Sequence, residues 1–189
     1  MHKPGKSYGS GPVYECWCEY GGIRFRLVSD DLFLKEINFV KKSVPLKRDD
    51  GVTPAPVKLC MDFLNAYFSD KSHGRYSVIF RHNWRDTLIF RGSGSAGSIV
   101  LDLEGYTGKE VAVYSELIKV RSGERISYGE LAARCGIPGG GRFIGNTMAK
   151  NRFPVIIPCH RVIKSDGSMG NFSGGVDIKE RLLRHEEGN

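Results

Sequence analysis

At 189 residues the chain is long enough for one large domain or two small ones, each burying a usable core. Hydrophobic residues make up 40% of it, ordinary for a globular protein, and no apolar run approaches the roughly 20 residues needed to cross a bilayer. The net charge of +7 favours a polyanionic partner, of which nucleic acid is the usual one.

Met1 to Pro12 is rich in Gly, Lys and Ser without an apolar stretch, so it reads as a loose tail and not as a signal peptide. The expected location is therefore the cytoplasm, or the nucleus in a eukaryote. Five cysteines in such a chain argue against a disulfide framework, and no C-x-x-C or H-x-x-x-H spacing spells out a zinc module. Cys16, Cys18, Cys60, His73 and His82 remain able to converge in space. Neither a metal nor a cofactor is expected.

Val13 to Tyr20 and Ile23 to Val28 are β-rich runs separated by Gly21-Gly22, a two-residue hairpin signal. Leu32 to Val40 predicts a third strand, and the charged run Lys41 to Gly51 a loop. Pro54 to Phe68 reads as a helix with proline at its start and Leu59, Phe63 and Tyr67 at fourfold spacing. Ser77 to Phe90 predicts two short strands. Gly92 to Ser98, Gly and Ser apart from Ala96, reads as a linker.

The second half is mainly helical in pattern. Val111, Tyr114, Leu117 and Ile118 form one stripe over Gly108 to Val120. Ser127 and Glu130 fit a capping box, opening a helix with Tyr128, Leu131, Ala132 and Cys135 inward. Gly136 to Gly140 ends it, and a short helix follows over Gly141 to Lys150, so a helix-turn-helix is expected. On that second helix Arg142, Gly145, Asn146 and Ala149 share one face, with Ile144, Met148 and Asn151 on another. A face nearly bare of side chains serves either tight helix packing or close approach to another surface, and the surrounding basic residues favour DNA.

Phe153 to Ile157 reads as a buried extended run leading into Pro158-Cys159-His160-Arg161-Val162. A cysteine after such a run is commonly an inert core residue. A nearby imidazole, however, favours the thiolate that acts as a nucleophile, although neighbours in a strand point to opposite faces. In the last helix, Val176 to Glu187, the inward stripe is Ile178, Leu182 and Glu186. A carboxylate there either frays into solvent or needs a buried partner, for which His160 is the best candidate. Tyr128 on its own reads more readily as a core aromatic than as a catalytic acid.

The run Pro158 to Val162, with Arg142 and Asn151 before it and Asn171-Phe172-Ser173-Gly174-Gly175 after it, resembles the O6-alkylguanine-DNA alkyltransferases, in order and spacing, over about Leu101 to Glu187. The resemblance implies single-turnover repair of alkylated guanine in double-stranded DNA, with the base flipped out of the duplex through the minor groove. It makes Cys159 the alkyl acceptor, His160 the base acting through a water, Glu186 its orienting carboxylate and Asn151 the bridge to the helix-turn-helix. Arg142 would fill the gap left by the extruded nucleotide, beside Gly145, Asn146 and Ala149. Tyr128 would protonate the leaving guanine, and Met148, Val162, Phe172 and Ser173 would form the pocket wall.

The implied architecture is α/β (α+β). A small N-terminal sheet domain at 10–91 precedes a linker at 92–106 and a mainly helical DNA-binding and alkyl-acceptor domain at 107–189. The expected protein is a monomer without a membrane partner. Three departures stand out: Thr107-Gly108 where the family often has Phe-Gln, no aromatic at Ser122-Gly123-Glu124, and a long Val78 to Ser98 stretch. The first two are expected to lie clear of the relay.

Overall fold

The computed structural model describes residues 12–46, 53–69, 77–83, 85–91 and 98–188. The expected tail up to residue 11, the loop after residue 46, the Gly/Ser run 92–97 and His73 lie outside the described residues.

Strands β1 (Tyr14–Tyr20) and β2 (Ile23–Ser29) form the expected antiparallel hairpin. Their alternation turns Cys16, Cys18, Ile23, Phe25 and Leu27 inward. Gly21 and Gly22 both adopt positive φ, 54° and 69°, the backbone that a tight two-residue turn requires. Strand β3 (Leu34–Val40) pairs with β2. Helix α1 (Ala55–Ser69) packs on β1, β2 and β3, burying Val57, Cys60, Phe63, Leu64 and Tyr67. Leu59, expected on that stripe, is only half-buried, because the helix turns its Cys60–Leu64 edge to the sheet.

Strands β4 (Ser77–Asn83) and β5 (Arg85–Arg91) form a second hairpin, which accounts for most of the long Val78 to Ser98 stretch. Strand β6 (Ser98–Asp102) lies inside the segment read as a linker. Ile99 and Leu101 alternate into the core, so the period-2 pattern resumes as soon as the Gly/Ser run ends. It pairs antiparallel with β5 and parallel with β3, giving one six-stranded sheet of order β1-β2-β3-β6-β5-β4.

Helix α2 (Gly108–Leu117) opens on a capping box that the sequence reading missed: Glu110 N donates to Thr107 Oγ1, and Glu110 Oε2 accepts from Thr107 N at 2.8 Å. Val111 and Ile118 of the expected stripe are half-buried, while Val113, Tyr114 and Leu117 form the inner face. Helices α3 (Tyr128–Arg134, with its predicted Ser127–Glu130 box) and α4 (Gly141–Lys150) pack together as a helix-turn-helix. Two-residue strands β7 (Ile126–Ser127) and β8 (Val162–Ile163) pair in parallel, bringing the start of α3 beside the segment that follows Cys159. Helix α5 (Val176–Glu186) completes the C-terminal half.

The run Phe153 to Ile157 is buried as expected but is not a strand. Val155 takes φ 74° and Ile157 N donates to Phe153 O at 2.8 Å, closing a tight turn. Cys159–Arg161 then forms a single 3-10 turn, so strand alternation does not govern where Cys159 and His160 point.

The halves are joined by backbone as well as side chains. Ile37 N donates to Arg152 O at 2.7 Å, the Arg152 guanidinium binds Asp102 O and Glu104 O, and Arg181 binds Gly21 O at 2.7 Å. A Cβ on Gly21 would stand 2.4 Å from the Phe68 ring. Gly21→Ala is therefore expected to cost about 1–2 kcal/mol from the left-handed backbone alone, read as a lower urea midpoint; an unchanged midpoint would contradict the turn assignment.

Candidate active site

Cys159 is 4% exposed and is held through both its backbone and its side chain. Its own amide donates to Ile157 O at 2.8 Å. Asn151, ending α4, donates through Nδ2 to Ile157 O at 2.9 Å and to Cys159 Sγ at 3.0 Å, while its Oδ1 accepts from Phe153 N at 2.9 Å. One side chain thus ties the end of the helix-turn-helix to the turn and the thiol. Burial pushes the Cys159 thiol up to about 11, and the Asn151 amide and the charge of Lys179 only partly oppose it. At neutral pH the resting sulfur is a thiol.

Next to it in the 3-10 turn, His160 is fully buried, and its Nε2 lies 2.8 Å from Glu186 Oε1. A carboxylate can only accept, so Nε2 carries the proton and Nδ1 offers its lone pair. That buried Nδ1 has no hydrogen-bonding partner among the described residues. Burial lowers the His160 pKa below its ordinary 6.5 despite the pull of Glu186, keeping the imidazole neutral.

Glu186 is the centre of the network. Arg161 grips it with Nε at 2.9 Å from Oε2 and Nη2 at 2.7 Å from Oε1, and also donates to Val120 O at 2.6 Å. The Tyr67 hydroxyl donates to Oε1 at 2.8 Å and Gly123 N to Oε2 at 3.3 Å. Burial alone would raise the carboxyl, but His160 and Arg161 outweigh it and hold Glu186 well below the ordinary carboxylate range. Lys179, fully buried one helical turn before Leu182, donates to Val162 O at 2.6 Å and to Met169 O, clamping both ends of the loop between them. Burial lowers its pKa to about 8.

In front of Cys159 lies an open pocket of about 900 Å³. It is lined by Arg142, Gly145, Asn146, Met148 and Ala149 of α4, by Phe172 and Ser173, and by Tyr128 together with Cys159. Burial, then proximity to Cys159, raises the Tyr128 pKa, so it is a phenol at neutral pH. Phe172 is held from behind by Phe39 of β3, with ring centroids 5.5 Å apart. A Cβ on Gly174 would stand 2.6 Å from that Phe39 ring, which demands glycine there.

The structure therefore brings together Cys159, His160, Glu186 and Asn151, and places Tyr128, Arg142, Gly145, Asn146, Ala149, Met148, Phe172 and Ser173 around one opening. Val162, expected in the wall, is fully buried in β8 outside the lining, because its strand pairs with β7 and its side chain joins the hydrophobic core. The segment 122–124 does touch the relay, through Gly123 N. Sequence reasoning gave no role to Lys179, Arg161 or Tyr67. Lys179 shares the helical stripe of Leu182 and Glu186, a signal that was there to be read. Among the described residues no group of three His, Cys, Asp or Glu is placed to hold a metal. No helix among them is long and apolar enough to cross a membrane.

These pKa directions set an acid limit on stability. Neutral buried His160 withdraws stability as the pH falls below 6.5, and the depressed Glu186 contributes stability present above 4.5 that is lost below it. Glu186→Gln, which leaves Arg161 without its counter-charge, is expected to cost about 3 kcal/mol at neutral pH. Urea titrations at several pH values should show that gap closing below pH 4.5; a gap independent of pH would contradict the assignment.

Residues 109–188 match the family model of the 6-O-methylguanine DNA methyltransferase DNA-binding domain. A methylated-DNA–protein-cysteine methyltransferase of Cricetulus griseus is 52% identical over 180 residues, covering 93% of this chain and 77% of that protein. The human protein of the same name is 38% identical over 135 residues, 70% of this chain. The match spans only 56% of the human protein's length. The crystal structure of Mycobacterium tuberculosis OGT in complex with DNA superposes with a TM-score of 0.62 at 27% identity, covering 87% of each chain. With the helix-turn-helix, the buried cysteine and these relatives together, the chain belongs to the methylated-DNA–protein-cysteine methyltransferase family.

Proposed function

We propose that this protein repairs O6-alkylguanine in double-stranded DNA, with O4-alkylthymine as a further substrate, by moving the alkyl group irreversibly onto Cys159. The observation that carries the reading is the thiol itself: buried in the lining of an open pocket, tied by Asn151, and followed in the chain by a neutral imidazole whose Nδ1 has no partner among the described residues. The protein acts as a monomer in the cytoplasm, or the nucleus of a eukaryote, without metal or cofactor. The acceptor unit is 107–189, and the N-terminal unit 10–91 supports it.

The chemistry follows from the protonation states. His160 Nδ1 takes the Cys159 proton through one water, so thiolate forms only as the reaction begins. The sulfur then attacks the alkyl carbon in line. The S–C bond forms as the C–O6 bond breaks, and its electron pair stays on guanine, which takes a proton from the Tyr128 phenol. Solvent exchange returns a proton to the phenolate and removes one from the imidazolium, leaving neutral guanine and a thioether. A thioether has no easy hydrolytic route, so each molecule acts once.

A base inside a duplex cannot reach this sulfur, so it has to be extruded. The small face of α4 at Gly145, Asn146 and Ala149 allows close approach to the minor groove, and exposed Arg142 is available to fill the vacated stack. Met148, Phe172 and Ser173 border the extruded base. Val162 supports this wall from beneath through the backbone that Lys179 holds.

Two variants test the reading. Cys159→Ser should bind a duplex carrying O6-methylguanine and leave the lesion in the DNA; removal of the lesion by this variant, or turnover beyond one per wild-type molecule, would refute it. Arg142→Ala should slow repair of duplex by about tenfold or more, because part of the unstacking cost is no longer offset, while transfer from free benzylguanine stays near normal. Equal losses on both substrates would remove the wedge role.

A further inference from the structure

Helix α1 belongs to the N-terminal half, yet one of its side chains reaches the centre of the buried network. Tyr67 is 3% exposed, and its hydroxyl donates to Glu186 Oε1 at 2.8 Å across 119 residues of sequence. The ring is fixed independently of that bond. It lies edge-on to Phe68 at 4.8 Å and beside the His185 ring at 5.2 Å, while His185 Nε2 meets Tyr67 O at 2.6 Å. The hydroxyl is therefore delivered to the carboxylate by a helix packed on the sheet, not by a freely rotating side chain.

We propose that Tyr67 is a positioning residue for alkyl transfer, whose hydroxyl fixes Glu186 Oε1 and so sets how strongly that oxygen holds His160. This rests on the reading of His160 as the base for Cys159. Oε1 receives Tyr67, His160 and Arg161 Nη2 within 2.8 Å, so each donor competes for the same charge. Oε2 receives Arg161 Nε and the Gly123 amide. Arg161 and Lys179 act electrostatically on His160 from the 3-10 turn and from α5, both opposing its protonation, and Glu186 favours it. Against that fixed set of charges the Tyr67 hydroxyl is a neutral donor that draws charge off Oε1. Without it Oε1 is a stronger acceptor, the imidazolium is favoured, and His160 is neutral only at higher pH.

The N-terminal half thus tunes the base of an acceptor site carried by the C-terminal half. A packing role for Tyr67 predicts lower stability alone, whereas this role predicts a moved pH profile.

The test is the rate of transfer from free benzylguanine against pH for the full-length wild type and Tyr67→Phe, which keeps the ring and removes one oxygen. The acid limb should move up by about half a unit to one unit, equivalent to a three- to tenfold slower reaction on the acid side, with one alkyl still transferred per molecule. An unmoved limb overturns the proposal, whatever happens to thermal stability. Val57→Ala, which loosens the packing of the same helix far from the Tyr67 ring, should lower stability and leave the limb in place; a limb that moves equally there overturns it too. Should Tyr67→Phe not fold, the wild-type protein gives a second reading. A buried hydroxyl proton held on Oε1 should appear as a slowly exchanging NMR signal with a cross-peak to the His160 ring, and absence of that signal counts against the proposal. Persistence of the acid limb in His160→Gln would instead sink the base assignment, separately from Tyr67.

Discussion

A single buried carboxylate holds this site together. Glu186 accepts hydrogen bonds from a helix of the N-terminal half, from the loop after α2 and from two residues of the 3-10 turn that carries Cys159. A charge in that position is tolerable only because Arg161 neutralises it with two nitrogens and other donors saturate its lone pairs. Replacing it strands a guanidinium and releases His160 together. The fold around it can be understood as the set of segments required to bring those donors to one point.

The neighbouring groups divide the remaining work. Burial holds Cys159 as a thiol and His160 as a neutral imidazole, the two protonation states from which the proposed transfer starts. Asn151 links the thiol to the end of α4, so the element proposed to meet DNA and the element proposed to react share one side chain. Lys179 fixes the loop between Val162 and Met169 whose far end leads into Phe172 and Ser173. The position of the pocket wall therefore follows from a buried amine and from the Phe39 ring behind Phe172.

Much of this was legible in the sequence, for identifiable reasons. The hairpin at Gly21-Gly22, the Ser127–Glu130 box and the helix ending at Lys150 are written in local chemistry that tertiary contacts did not override. Glu186 betrayed itself as a carboxylate on an apolar stripe. Strand β6 was obscured because the Gly/Ser run before it masks the alternation of Ile99 and Leu101. The turn at Val155 was not legible, since a β-branched residue at positive φ contradicts local preference and is imposed by the surrounding packing. Tyr67 could be read as buried but not as a donor to Glu186, because nothing local records a partner 119 residues away. Lys179 was passed over because a lysine on a helix is expected to reach solvent, and only the Val162 and Met169 carbonyls explain its burial.

Cys159 is the proposed final resting place of the alkyl group. The most direct measurement is the intact mass of the protein after incubation with a duplex holding one O6-methylguanine, followed by peptide mapping. The protein should gain one methyl group in place of one hydrogen, confined to the peptide containing Cys159 and saturating at one per molecule. A protein that binds the lesion tightly without gaining mass, or that gains it on another cysteine, would contradict the account.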